Sequence, residues 1–90
     1  MIVISYDISD DKLRTKFSKY LEKYGNRMQY SVFQIQNSDR ILTNIAQDIE
    51  NKFSKKFNQQ DSVYIFIMDS RTEIKRYGYA KNEEKDIIVI

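Results

Sequence analysis

The chain has 90 residues, with 15 Lys and Arg against 13 Asp and Glu, and it contains neither His nor Cys. So short a chain makes one domain and buries only about 60 to 65% of its unfolded surface, which leaves its own core marginal and makes association with a second copy a natural remedy. Without Cys or His there are no disulfides, no thiolate ligands, no imidazole zinc ligand and no imidazole base, so any hydrolytic chemistry falls to carboxylates.

The net charge of +2 is unevenly spread. Residues 1–35 hold six basic and four acidic groups, residues 36–68 four of each, and residues 69–90 five of each. The whole excess lies in the first third, which permits a polyanionic partner without demanding one. Met1 leads straight into a strand pattern with no basic leader or cleavage site, and the longest apolar run, Val63 to Met68, is too short to span a bilayer. The expected location is cytoplasmic, with no membrane partner.

The β-branched run from Met1 to Ile8 is predicted to be a strand. Ile2, Ile4, Tyr6 and Ile8 share one face, and Val3, Ser5 and Asp7 the other. Asp7 thus closes the strand on its less apolar side. A carboxylate there either faces solvent and caps the next helix, or has a partner: a cation, a metal, or a second carboxylate sharing a proton or an ion.

Ser9-Asp10-Asp11 supplies an N-cap and first-turn acids, and Leu13, Phe17, Tyr20, Leu21 and Tyr24 follow at helical spacing. This predicts a helix over about residues 10–24, ended by Gly25 in the left-handed conformation. Lys12, Lys16, Lys19 and Lys23 form a row bordering the buried stripe, as a phosphate-binding edge or a solvated face would.

Arg27 to Gln36 alternates and is rich in aromatic and β-branched residues, so it is extended, as one long strand or two short ones bent near Ser31 to Phe33. By alternation, Met28, Tyr30 and Val32 share one face, and Arg27, Gln29, Ser31, Phe33 and Ile35 the other. A face mixing polar groups with a large ring suits an interface better than a dry core.

Asn37-Ser38-Asp39 opens a second helix of about 19 residues, with Ile41, Leu42, Ile45, Ile49, Phe53 and Phe57 in its stripe. After a turn at Asn58 to Asp61, Ser62 to Met68 is apolar on both faces, as a central strand is. Arg71 to Tyr79 alternates weakly, Ala80 to Lys85 is a charged linker, and Asp86 to Ile90 reads as a last strand. The order gives an α+β, ferredoxin-like βαββαβ fold: an antiparallel sheet with two helices on one face, formed by residues 1–79. Residues 80–90 then belong to the same domain or pass to a partner. The other sheet face, with Val3, Ser5, Asp7 and Phe33, is left for a second copy to cover.

Weaker signals have plainer readings. Lys75-Arg76-Tyr77-Gly78-Tyr79-Ala80 resembles an aromatic RNA-stacking motif but follows the whole repeat, so Gly78 reads as a bend or bulge in an edge strand. Asp10 and Asp11 read as helix-start acids and Asp69 as part of a turn, rather than as further metal ligands. Arg14 and Arg27 flank the first helix with no evident acidic partner in sequence, and Arg binds phosphate bidentately as Lys does not.

Tyr6-Asp7-Ile8, Asp11-Lys12-Leu13-Arg14-Thr15-Lys16, Leu21-Glu22-Lys23-Tyr24-Gly25-Asn26-Arg27 and Gln29-Tyr30-Ser31-Val32-Phe33 together resemble the small CRISPR-associated endonuclease or endoribonuclease family of the spacer-adaptation module, the dimeric partner of the CRISPR integrase. The resemblance spans residues 1–35, and the Asp86 to Ile90 ending is similar to the family's terminal strand. It implies a homodimer with C-terminal strands exchanged between subunits, Asp7 of both subunits as the catalytic and metal-binding carboxylate, and magnesium or manganese as the ion. It implies Arg14, Arg27, Lys12 and Lys16 at nucleic acid and Tyr6, Ser31 and Phe33 at the cleft or interface. Leu13 stands where many members have a second basic residue, and Gln34 where an acid is frequent.

Three functions follow from the resemblance: a metal-dependent endonuclease on RNA or DNA, a DNA-holding scaffold for spacer insertion by the integrase dimer with no catalysis of its own, and a toxin-type ribonuclease on the same fold. An ion lowers the pKa of a bound water, which is the simplest source of a nucleophile in a chain without imidazole or thiol.

Overall fold

The computed structural model describes residues 1–69 and 73–78. Five strands and two helices follow in the order β1 (Ile2–Asp7), α1 (Asp11–Glu22), β2 (Gly25–Gln29), β3 (Val32–Ile35), α2 (Asp39–Asp48), β4 (Ser62–Ile67) and β5 (Glu73–Gly78). The strands form one sheet in the order β2-β3-β1-β4-β5, antiparallel throughout. This is the ferredoxin-like arrangement with one added strand. β5 pairs with β4 of its own chain, Tyr64 opposite Arg76 and Phe66 opposite Ile74. The expected terminal strand at Asp86 to Ile90 and the linker before it lie outside the described residues.

Period-two alternation sorts the strands as predicted. Ile2, Ile4 and Tyr6 of β1 and Val63, Ile65 and Ile67 of β4 are buried, on the side where Leu13, Phe17 and Leu21 of α1 and Leu42 and Ile45 of α2 complete one core. Asp10 is the N-cap of α1, its carboxylate accepting from Leu13 N at 2.8 Å, and Ser38 caps α2 in the same way through Ile41 N. After Asp48 the helical path continues as a wider π turn, Ile49–Phe53, and a tighter 3₁₀ turn, Ser54–Lys56. The wider turn carries Phe53 against Phe17, ring centroids 4.9 Å apart, and against Tyr20 at 5.1 Å. The predicted length of this helical stretch therefore holds, although its last turns are not α-helical.

Two expectations are corrected. Gly25 is not the left-handed cap residue: it begins β2, and its lack of a side chain matters because a Cβ would stand 2.0 Å from the Gln34 carbonyl oxygen across the hairpin. Among the described residues, the glycine with positive φ is Gly78, at 85°, at the end of strand β5.

Phe33 is the second correction. It is fully buried, paired with Ile4 in register, and it stacks on Tyr6 within the helix-side core, so it does not belong to the uncovered face. The strict alternation assumed from Arg27 to Gln36 is broken twice. A register shift between Arg27 and Gln29 makes a bulge, and the chain turns at Tyr30-Ser31. Each interruption resets which face a residue occupies, so face assignments made before the turn do not carry past it.

Candidate functional site

Asp7 ends β1 as an exposed residue on the face opposite the helices, beside Ser5 and Val3. Its cross-strand neighbour is Ser62 of β4. Among the described residues, no hydrogen bond or ion pair engages its carboxylate. No group of three or more acidic side chains converges anywhere among the described residues. One chain therefore offers a single carboxylate at this point, and a magnesium ion is satisfied by one or two protein carboxylates with water completing its shell. A single exposed carboxylate falls within that range.

The two arginines sit on the other side of β1. Arg14 donates to the Ile8 carbonyl oxygen at 3.0 Å and is paired with Asp11, one helical turn earlier. That carboxylate raises the guanidinium pKa further. Arg27 donates to the Tyr30 carbonyl oxygen at 2.5 Å, lies 5.0 Å from the Phe33 ring centre, and has Glu22 at 3.9 Å. Both thus have acidic partners that sequence inspection missed, because the pairing follows from the helix turn for one and from the return of β2 alongside α1 for the other. They line a shallow pocket of about 300 Å³ together with Tyr6, Ser18 and Tyr30.

Tyr6, expected at the cleft, is 4% exposed and packs edge-on against Phe17, ring centroids 5.1 Å apart. Burial raises its phenol pKa, partly offset by the charge of Arg27. Ser31 sits half-buried in the hairpin turn, where its carbonyl oxygen accepts from Tyr6 N at 3.1 Å. These residues hold the hairpin to β1. Neither Tyr6 nor Phe33 reaches the open sheet face.

Lys12 and Lys16 join Lys19, Lys23 and Lys52 along a groove of about 690 Å³ between α1 and the π turn that follows α2. Its floor is Tyr20 and Phe53. The Tyr20 hydroxyl donates to Asp48 at 2.6 Å, tying the two helices together, and burial followed by this carboxylate pushes its pKa well above the ordinary phenol value. The predicted lysine row therefore lies on the helix layer, on the far side of the sheet from Asp7.

A residue that sequence inspection passed over as part of a turn is Asp61. It is 1% exposed, and its carboxylate accepts from Ser9 N at 2.8 Å, Ser9 Oγ at 2.9 Å and Asn58 N at 3.0 Å. No local pattern signals a contact between residues 52 positions apart.

The family model described as CRISPR associated protein Cas2 matches residues 1–76. The chain belongs to this family. CRISPR-associated endoribonuclease Cas2 4 of Rhodospirillum rubrum is 32% identical over 85 residues, which cover 94% of this chain and 66% of the relative. CRISPR-associated endoribonuclease Cas2 2 of Synechocystis is 34% identical over 79 residues, covering 84% and 82%. The chain thus spans just under two thirds of the length of the first and about four fifths of the second. Among solved structures, a hypothetical protein from Thermus thermophilus superposes with a TM-score of 0.52 at 26% identity, over 99% of this chain and 92% of that one. The match to the Cas2 family covers β1 to most of β5, including the Asp7 strand end and both arginines.

Proposed function

We propose that this Cas2 family chain works as a homodimer in CRISPR adaptation, gripping nucleic acid through basic phosphate contacts and cleaving phosphodiester bonds at a divalent ion held between two Asp7 carboxylates. The observation that carries this reading is the sheet face that no described helix covers: half-apolar, with β1 running through its middle and ending in an exposed carboxylate that no described residue engages. Val3, Val32, Tyr64 and Phe66 give that face a partly buried apolar surface that a second copy would cover. Two Asp7 side chains meeting across a two-fold axis would repel unless a cation or a shared proton lay between them. Bound there, magnesium or manganese would acidify a water and offset charge on the scissile phosphate. Asp7 would hold and orient that ion, and the lysine row would neutralise flanking phosphates.

A second reading rests on the lysine groove. Because Lys12 and Lys16 lie on the helix layer, away from Asp7, the dimer could hold DNA for spacer insertion by the integrase with no contribution from the Asp7 charge. Cleavage assays on DNA and RNA, with and without magnesium or manganese, separate the two. Asp7→Asn is expected to reduce cleavage to background while leaving the dimer and insertion by the integrase intact. Cleavage that persists in EDTA with Asp7→Asn refutes the metal site, and loss of insertion with the dimer and complex intact refutes a scaffold role independent of Asp7.

A further inference from the structure

The two residues after Asp7 are fastened from two directions. The Ile8 side chain is buried and its carbonyl oxygen accepts from Arg14 Nη1, while Ser9 gives both its N–H and its hydroxyl to one oxygen of Asp61. The other Asp61 oxygen takes the Asn58 N–H, and the Asn58 side-chain amide donates to Ser9 Oγ at 2.5 Å, closing a small ring of hydrogen bonds. Asp61 also precedes Ser62, the residue that pairs with Asp7 across the β1–β4 ladder. One segment thus grips Asp7 laterally through the ladder and grips its downstream neighbour through a buried carboxylate.

A carboxylate is a demanding choice for that position. Burying one is costly unless its oxygens are satisfied, and here three donors converge on it with no cation among the described residues within salt-bridge distance. An amide could not replace it without turning a donor toward either the Asn58 N–H or the Ser9 donors. A tight turn alone would need no such group, since the Asn58 carbonyl oxygen already receives the Asp61 N–H at 3.1 Å.

We propose that Asp61 is a positioning residue for Asp7, fixing through Ser9 the direction in which the Asp7 carboxylate leaves the sheet. The proposal rests on the reading of Asp7 as the ion-holding group. Displacement of such a group by about 1 Å costs on the order of 10²-fold in rate, and loss of a supporting hydrogen bond about tenfold in metal affinity.

The test uses the full chain and Asp61→Asn, at a temperature where wild type and variant are both fully folded. Manganese binding followed by electron paramagnetic resonance is expected to weaken about tenfold, and the NMR order parameter of the Asp7 amide is expected to fall while those of core residues such as Ile45 stay at wild-type values. Ser9→Ala, which removes one hydroxyl and keeps the backbone, is expected to move both readouts the same way by less, and Ser9→Thr to restore them. These two variants decide the matter if Asp61→Asn does not fold. Unchanged manganese affinity and Asp7 order with only a lower melting temperature would overturn the proposal, leaving Asp61 a fold-stabilising residue. If Asp7→Asn itself binds manganese as wild type does, the metal reading fails, and the Asp7 order parameter alone then decides whether Asp61 positions that strand end.

Discussion

The two faces of the sheet differ in kind. Toward the helices, Ile4, Phe33, Val63, Ile65 and Ile67 have no measurable exposure, and the aromatic rings of Tyr6, Phe17 and Phe53 interlock around them. Toward the open side, Val3, Ser5, Val32, Tyr64 and Phe66 are only partly covered, Asp7 and Gln34 are exposed, and the buried Tyr64 hydroxyl finds no hydrogen-bond partner among the described residues. A phenol oxygen buried without a partner costs on the order of 1–3 kcal/mol. Among the described residues, the first face is a closed core and the second is a mixed, partly covered surface.

The sharpest way to break this contrast is to cut matching aromatic rings from the two faces. Phe33→Ala empties a fully enclosed site and is expected to cost about 3–5 kcal/mol, enough to unfold much of a domain of this size at physiological temperature. Phe66→Ala, on the open face, is expected to lower monomer stability by less than about 1 kcal/mol but to shift sedimentation toward monomer. Equal destabilisation by the two, with unchanged association, would mean that the faces are not the different surfaces described.

Most of the helix-side core was legible in the sequence because period and burial agree: Ile2, Ile4 and Tyr6 alternate, and Leu13, Phe17 and Leu21 repeat every four residues. Asp7 was legible for the same reason, as a polar interruption at a strand end. The hairpin was not. Its turn at Tyr30-Ser31 contains neither Gly, Pro nor Asn, and the bulge at Met28 leaves no compositional mark, so Phe33 was assigned to the wrong face. Asp61 was hidden for a different reason, since its partner Ser9 is adjacent only in space. The RNA-like run at Lys75 to Gly78 proved to be strand β5, as its position after the repeat predicts.

The charge on the helix layer sharpens the comparison from the other side. Reversing Lys12, Lys16, Lys19 and Lys23 to Glu should weaken duplex binding and flatten its salt dependence, each lost phosphate contact lowering the slope of log K against log salt by about 0.9. Because these side chains project from α1 into the groove over Tyr20 and Phe53, self-association through the open face should be unaffected. Filter binding across a salt series and sedimentation of the same variant test both halves. An unchanged slope makes the row a solvated face only.

A further contrast concerns Tyr20, which joins the helices above the helix-side face. Its hydroxyl bond to Asp48 is worth about 1–2 kcal/mol, and Tyr20→Phe should lower stability by that amount at neutral pH while leaving Lys52 beside Asp48 at 3.5 Å. The alkaline limb should change as well. Burial and the Asp48 carboxylate raise the folded-state pKa of Tyr20 above its unfolded value of about 10, so the protonated phenol is the form the fold favours. Its contribution is fully present below pH 10 and is lost as pH rises from there toward the folded value. Wild-type stability should therefore fall above about pH 10, and Tyr20→Phe should fall less steeply, retaining the part due to Tyr6 and Tyr77, whose pKa values burial also raises. Denaturant midpoints for both proteins between about pH 8 and 11, the range that brackets an ordinary phenol, measure the difference. Parallel curves would show that the Tyr20–Asp48 bond does not link proton release to the packing of α1 on α2.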